Sequence, residues 1–184
     1  MMKLIATATS TGTSATISFE NIPSNFTDLV LVASFRTTQA ITSTTLFSYF
    51  GTALNSSIRA NYAYRALNGS GTGVSSYGIT SDGQWNMDPT VPGSSATANT
   101  FGSIQMYFPN YSGSTAKSVS VDSVGENNAA AAGQIIFAGL NSNTNALSAI
   151  TNIAIELNAN NFVSGSTASL YGITKGSDGI VTTS

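Results

Sequence analysis

Carboxylates are the only side chains in this sequence suited to acid–base catalysis near neutral pH, because the chain contains no histidine and no cysteine. Those two residues supply most biological proton shuttles and thiolate nucleophiles. Six of the acids form three sequence-neighbouring pairs: Glu20 with Asp28, Asp82 with Asp88, and Asp122 with Glu126. A carboxylate pair can cleave a glycosidic bond when the fold holds it about 5–10 Å apart across a groove. None of the three spacings dictates such a groove. Asp28 opens the most apolar stretch of the chain and reads as the start of a strand, while Asp82-Gly83 and Asp178-Gly179 are turn dipeptides. Asp82, Asn86 and Asp88 offer oxygen ligands of the kind calcium takes, but the remainder of an EF-hand loop is missing. No GxxxxGK[ST] run is present, so the glycines read as turn residues rather than a phosphate cradle. The expectation is a protein that is not an enzyme and uses no cofactor or metal.

Recognition is the chemistry that remains. Trp85, the single tryptophan, stands with Met87 in the polar segment Ser81–Asp88. Aromatic and thioether side chains on a loop can anchor a partner or stack on a sugar ring, and the same residues can equally fold back over a core. Trp85 and Met87 are the candidate interface residues. With six basic and eight acidic side chains and a net charge of −2, the chain has no basic field to hold nucleic acid or an anionic membrane. No apolar run approaches the roughly 18 residues that span a bilayer. Met1–Ala6 is too short for the hydrophobic part of a signal peptide. The Asn-x-Ser/Thr triplets at Asn25, Asn55, Asn68 and Asn110 arise by chance in a chain this rich in Asn, Ser and Thr.

The elements that position these residues read as strands. Short β-branched and aromatic runs, closed by Gly, Asn, Ser or Pro, recur without helical periodicity. Strands are expected at 15–19, 28–36, 45–50, 101–108, 118–124, 134–140, 150–157 and 166–173, with a turn of helix and then a strand within 56–67. The run Leu29-Val30-Leu31-Val32 suits a central strand covered on both faces. The segments 68–77 and 81–100 read as long loops. Eight or nine strands at this spacing, with no crossover helix, predict one all-β domain over 1–184, an antiparallel β-sandwich of jelly-roll type. The polar ends, 1–13 and 175–184, read as arms that order only in an assembly. A surface so poor in charge opposes self-association little, and a homotrimer is the expected oligomer.

Three stretches carry a resemblance. They are Phe19-Glu20-Asn21-Ile22-Pro23 leading into Phe26-Thr27-Asp28-Leu29-Val30-Leu31, then Asn61-Tyr62-Ala63-Tyr64-Arg65, and Asn161-Phe162-Val163-Ser164-Gly165-Ser166-Thr167-Ala168-Ser169-Leu170-Tyr171-Gly172-Ile173. Together they resemble β-sandwich structural proteins of tailed-bacteriophage virions. The resemblance implies location in the virion and carries no catalytic residue. It implies a capsid decoration, or cement, protein bound to the major capsid protein. Its other implication is a tail-fibre or tail-tip module binding host-surface carbohydrate. A fibre normally adds a shaft or coiled coil, absent from this sequence, so size favours capsid decoration.

Overall fold

The computed structural model describes residues 1–51, 60–125, 133–143 and 147–174. It contains twelve strands among those residues: β1 (Met2–Thr9), β2 (Thr16–Phe19), β3 (Asp28–Phe35), β4 (Ser43–Gly51), β5 (Tyr62–Ser70), β6 (Gly73–Asp82), β7 (Trp85–Pro92), β8 (Gly102–Phe108), β9 (Lys117–Gly125), β10 (Gly133–Asn141), β11 (Asn152–Leu157) and β12 (Thr167–Ile173). All pairings are antiparallel, in one sheet ordered β1-β12-β3-β8-β9-β10-β5-β6 and a second ordered β2-β11-β4-β7.

The topology is a jelly roll with two inserted hairpins. Four pairs, β1·β12, β2·β11, β3·β8 and β4·β7, make a ribbon in which the two halves of the chain run against each other. The ribbon rolls so that β12 lies beside β3 and β11 beside β4, which separates its pairs alternately into two facing sheets. The β5–β6 hairpin is inserted after β4 and the β9–β10 hairpin after β8. Both attach beyond β8, widening one sheet to eight strands while the other keeps four.

Burial follows the pleat. Along β9 and β10 alternate residues point inward, among them Val119, Val121, Ile135 and Phe137, so the period-two pattern of the sequence sets which face meets the core. β3 lies between β12 and β8, as its apolar run predicts, with Leu29, Val30 and Leu31 buried; Val32, however, is 41 % exposed. The core joins both sheets around Phe50, Tyr62, Trp85, Phe108 and Phe137. Turns draw on asparagine: among the described residues the non-glycine residues with positive φ are Asn21, Asn61, Asn99, Asn110 and Asn160. A short amide side chain tolerates this left-handed backbone better than other non-glycine types.

Several elements differ from the sequence expectation. Residues 1–13 are not a free arm, because Met2–Thr9 pairs with β12 along its length and the Met1 ammonium donates to the Thr174 carbonyl at 2.9 Å. The strand is largely solvent-exposed, with Ile5 and Ala8 packing partly against the core, so sheet hydrogen bonds contribute more than core burial to holding it. The proposed loops 68–77 and 81–100 are largely strand: they contain the end of β5, most of β6, and β7. The β5–β6 turn is tight, with Gly71 at φ +60° in the first central position of a two-residue connection between Ser70 and Gly73. β6 gave no alternating signal because nearly every residue of it is exposed. The expected helical turn at 56–59 and the arm at 175–184 lie outside the described residues.

Candidate functional site

Trp85 and Met87 do not form an interface. Both are buried, Trp85 completely. They begin β7, where Ser48 pairs with Trp85 and Leu46 with Met87, and this strand carries the chain from the large sheet into the small one. The indole lies 5.1 Å from the Phe50 ring and 5.2 Å, edge-on, from Tyr62, and its Nε1–H donates to the Ala63 carbonyl at 3.2 Å. It also sits directly over Gly139, where a Cβ would come within 2.6 Å of indole atoms. The polar neighbours that suggested a loop alternate with core residues on a strand.

Among the described residues the acids do not assemble a catalytic pair. Asp28 is buried at the start of β3, and its two carboxylate oxygens accept hydrogen bonds from the Tyr107 hydroxyl at 3.0 Å and the Asn110 amide at 2.9 Å. Glu20 is exposed just after β2, in the other sheet. Asp122 points outward from β9, and Glu126 lies outside the described residues. Of the calcium candidates, Asp82 and Asn86 meet: Asp82 accepts from the Gly83 amide at 2.6 Å and from the Asn86 side chain at 3.0 Å. The Asp88 side chain is outside the described atoms. Among the described residues no three of His, Cys, Asp and Glu cluster as metal ligands would.

The buried cations serve the scaffold. Arg36, at the end of β3, donates to the carbonyls of Ala96, Thr97 and Thr100 and to the Thr100 hydroxyl, tying the 93–100 turn to the large sheet. Lys117 is 1 % exposed and its Nζ donates to the Gly113 and Thr115 carbonyls, both at 2.6 Å, closing the β8–β9 connection. The buried Tyr111 hydroxyl donates to the Pro23 carbonyl and accepts from the Phe26 amide.

These groups set an alkaline signature. Burial raises the Tyr107 and Tyr111 phenols above their usual range; beside Tyr107 the Asp28 carboxylate adds to the rise, whereas beside Tyr111 the backbone hydrogen bond of Phe26 opposes it. Both phenols therefore ionise more readily in the unfolded chain. Their contribution to stability is full below about pH 10 and is lost as pH rises through their folded values. Burial lowers Lys117, so its part has the opposite sign: stability is gained as pH climbs from its folded value toward about 10.4. In thermal melts from about pH 8 to 11, Tyr111→Phe is expected to flatten the alkaline fall in Tm and Lys117→Met to steepen it. Parallel curves for all three proteins would refute this assignment.

The feature left for recognition is the outer face of the eight-stranded sheet. Register places Val32, Gln105, Asp122, Ile136, Leu67 and Ser76 in one row across six strands. Leu67 and Ile136 are direct cross-strand partners and are 54 % and 58 % exposed. Leu140 and Val124 extend the apolar area, at 45 % and 44 % exposure, with hydroxyls such as Ser120 between them. Arg65 crosses this face, its guanidinium donating to the Tyr64 carbonyl at 2.7 Å and to the Ile79 carbonyl on β6 at 3.1 Å. Open grooves of about 560 and 430 Å³ lie along Arg65, one beside Leu67 and Ile136 and the other beside Ile79 and Leu140. No single residue type announced this face in the sequence; it appears only when the hairpins β5–β6 and β9–β10 are placed side by side.

The stretches Phe19–Pro23, Phe26–Leu31, Asn61–Arg65 and Asn161–Ile173 fall largely on fold-setting positions. Phe19, Ile22, Leu29, Tyr62, Phe162 and Leu170 are buried, Asn21 and Asn61 take left-handed turns, and Gly165 has φ +88°. Comparison with family models, with curated proteins and with solved structures finds no match to the chain.

Proposed function

We propose that this chain is a structural protein of a tailed-bacteriophage virion, most specifically a capsid decoration protein that binds the outside of the shell and stabilises it. The observation that carries the reading is the outer face of the eight-stranded sheet. It offers Leu67, Ile136, Leu140, Val124 and Val32 among hydroxyl groups, with single charges at Asp122 and Arg65. Such a mixture is that of a protein-binding surface, whose apolar centre contributes affinity and whose polar surroundings tolerate water. The two inserted hairpins widen this face while their inward residues, Tyr62, Val121 and Phe137 among them, join the core. The resemblance of the Phe19–Leu31, Asn61–Arg65 and Asn161–Ile173 stretches to virion β-sandwich proteins points the same way.

Electron microscopy of the virion that carries the protein tests the proposal. Copies distributed over the icosahedral faces, with the large sheet toward the major capsid protein, are expected. Copies confined to the tail would overturn the decoration role in favour of a tail module that binds host carbohydrate. Release of reducing ends from host envelope glycan by the pure protein, abolished by a carboxylate-to-amide change, would overturn the structural role itself.

A further inference from the structure

Among the described residues the two sheets have four outer edges, formed by β1, β6, β2 and β7. An edge strand exposes backbone donors and acceptors that can pair with another chain, and proteins usually guard against this with brevity, bulges, lysine or proline. Three of these edges are guarded. β1 carries Lys3 and a register shift between Leu4 and Ala6. β2 has only four residues. β7 contains Pro89 and Pro92. β6 is different over Gly73–Ile79, where GVSSYGI holds no charge and no proline. Its pairing with β5 runs without a shift from Gly73 opposite Ser70 to Ile79 opposite Tyr64, so this edge is straight for seven residues. Gly73 to Ser76 are all exposed, and Val74 is 81 % exposed. Among the described residues no strand pairs with the far side of β6.

We infer that the β6 edge is a strand-pairing site whose occupant is the β6 edge of a second copy of this chain, aligned antiparallel about a two-fold axis. Centred on Ser76, the midpoint of Gly73–Ile79, the pairing sets Ser76 against Ser76, Ser75 against Tyr77, Val74 against Gly78 and Gly73 against Ile79. No like charges meet, because Gly73–Ile79 carries none, and directly opposed like charges would destabilise the pairing. Gly78 faces the β-branched Val74 with no side chain of its own to compete. A head-to-tail contact would instead bring β6 against an edge guarded by Lys3, by proline or by brevity. The two-fold contact closes at a dimer, in contrast to the trimer expected from composition. It joins two eight-stranded sheets into one continuous sheet. A seven-residue edge contact is smaller than a standard protein interface of roughly 1,600 Å², so the association is weak in dilute solution and favoured where copies are concentrated.

The absence of cysteine makes the test clean. The full chain carrying Ser76→Cys, under mild oxidation, is expected to form a disulfide-linked dimer, because directly opposed residues of an antiparallel pair bring their Cα atoms within about 4.5–5.5 Å. Thr7→Cys, on the guarded β1 strand, is expected to stay monomeric. Sedimentation equilibrium of the unmodified chain up to about 1 mM should show a monomer–dimer equilibrium. The exposed double variant Val74→Lys/Ser76→Lys should weaken it at least about tenfold. Far-ultraviolet circular dichroism checks that this variant is folded. A strictly monomeric unmodified chain, cross-linking no faster at Ser76→Cys than at Thr7→Cys, or a dimer that the two lysines leave unchanged, would each overturn the inference.

Discussion

Replacing Trp85 with alanine is expected to destabilise the protein by about 3–5 kcal/mol, lowering Tm by roughly 6–20 °C for a chain of this size. The argument rests on where the indole stands. It is fully buried, touches aromatic rings from β4, β5, β8 and β10, and uses its one polar atom on the Ala63 carbonyl. Truncation removes a large apolar group and leaves a space that strands on both sides are too constrained to fill. Trp85→Phe should lose less, about 1–3 kcal/mol, through the smaller ring and the unpartnered carbonyl. Gly139→Ala is the mirror experiment, because the new Cβ would lie 2.6 Å from the indole, and overpacking of this kind costs about 1–3 kcal/mol. The two sites are in contact, so in the Trp85→Ala background Gly139→Ala should cost less than in the parent, with the Val119 methyl at 2.9 Å still to be accommodated, a coupling of about 0.5–3 kcal/mol. Chemical denaturation of the four proteins measures the cycle. Strict additivity, or a Trp85→Ala protein as stable as its parent, would return Trp85 to the surface.

That tryptophan also shows what the sequence could and could not convey. Ser81–Asp88 looks like a loop because Trp85 and Met87 are separated by polar residues, and the same spacing is equally that of a strand with one face in the core. Neighbouring Pro89 and Pro92 suggested a loop too, but on an edge strand proline costs no ladder hydrogen bond. Strands with both local signals in agreement, such as 118–124 with its strict alternation and 28–35 with its apolar run, were legible directly. β1 and β6 were not, since each is held by a neighbour's hydrogen bonds while exposing most of its side chains, and burial is what writes a pattern into sequence. The outer face of the large sheet was hidden for a related reason. Leu67 and Ile136 are far apart in the chain and become partners only through the register of β5 on β10.

The paucity of charge acquires a structural meaning here. Asp28, Arg36 and Lys117, three of the fourteen formally charged side chains, are buried and hydrogen-bonded within the domain. Each makes its bonds where a connection between strands must be fixed, so part of the small charge inventory is spent on loop geometry. The solvent-facing side of the large sheet is left with hydroxyls and aliphatics around the single charges of Asp122 and Arg65, a surface with few charges to desolvate.

Under the proposed decoration role, charge placed on that face is therefore expected to abolish attachment to the capsid shell without unfolding the domain. Leu67→Glu combined with Ile136→Lys is the most discriminating change, because the residues are direct cross-strand partners, Ile136 also faces Asp122 on β9, and the new side chains can form an ion pair worth about 0.2–1 kcal/mol to the sheet. Both positions are more than half exposed, so little apolar burial within the monomer is lost. Docked against a partner, the pair would have to be desolvated at the centre of the contact, and losses of about 3 kcal/mol at such positions correspond to roughly a hundredfold in affinity. The control is Ser18→Lys, an exposed change on β2 of the opposite sheet, which should bind as the parent does. Occupancy on decoration-free capsids, measured by co-sedimentation alongside thermal melts of the free proteins, gives the comparison. An unchanged Tm with lost occupancy for the Leu67/Ile136 variant is the expected result. Full occupancy would move the docking surface off this face, since no interface can bury two new charges at its centre without a loss in affinity unless they remain wet.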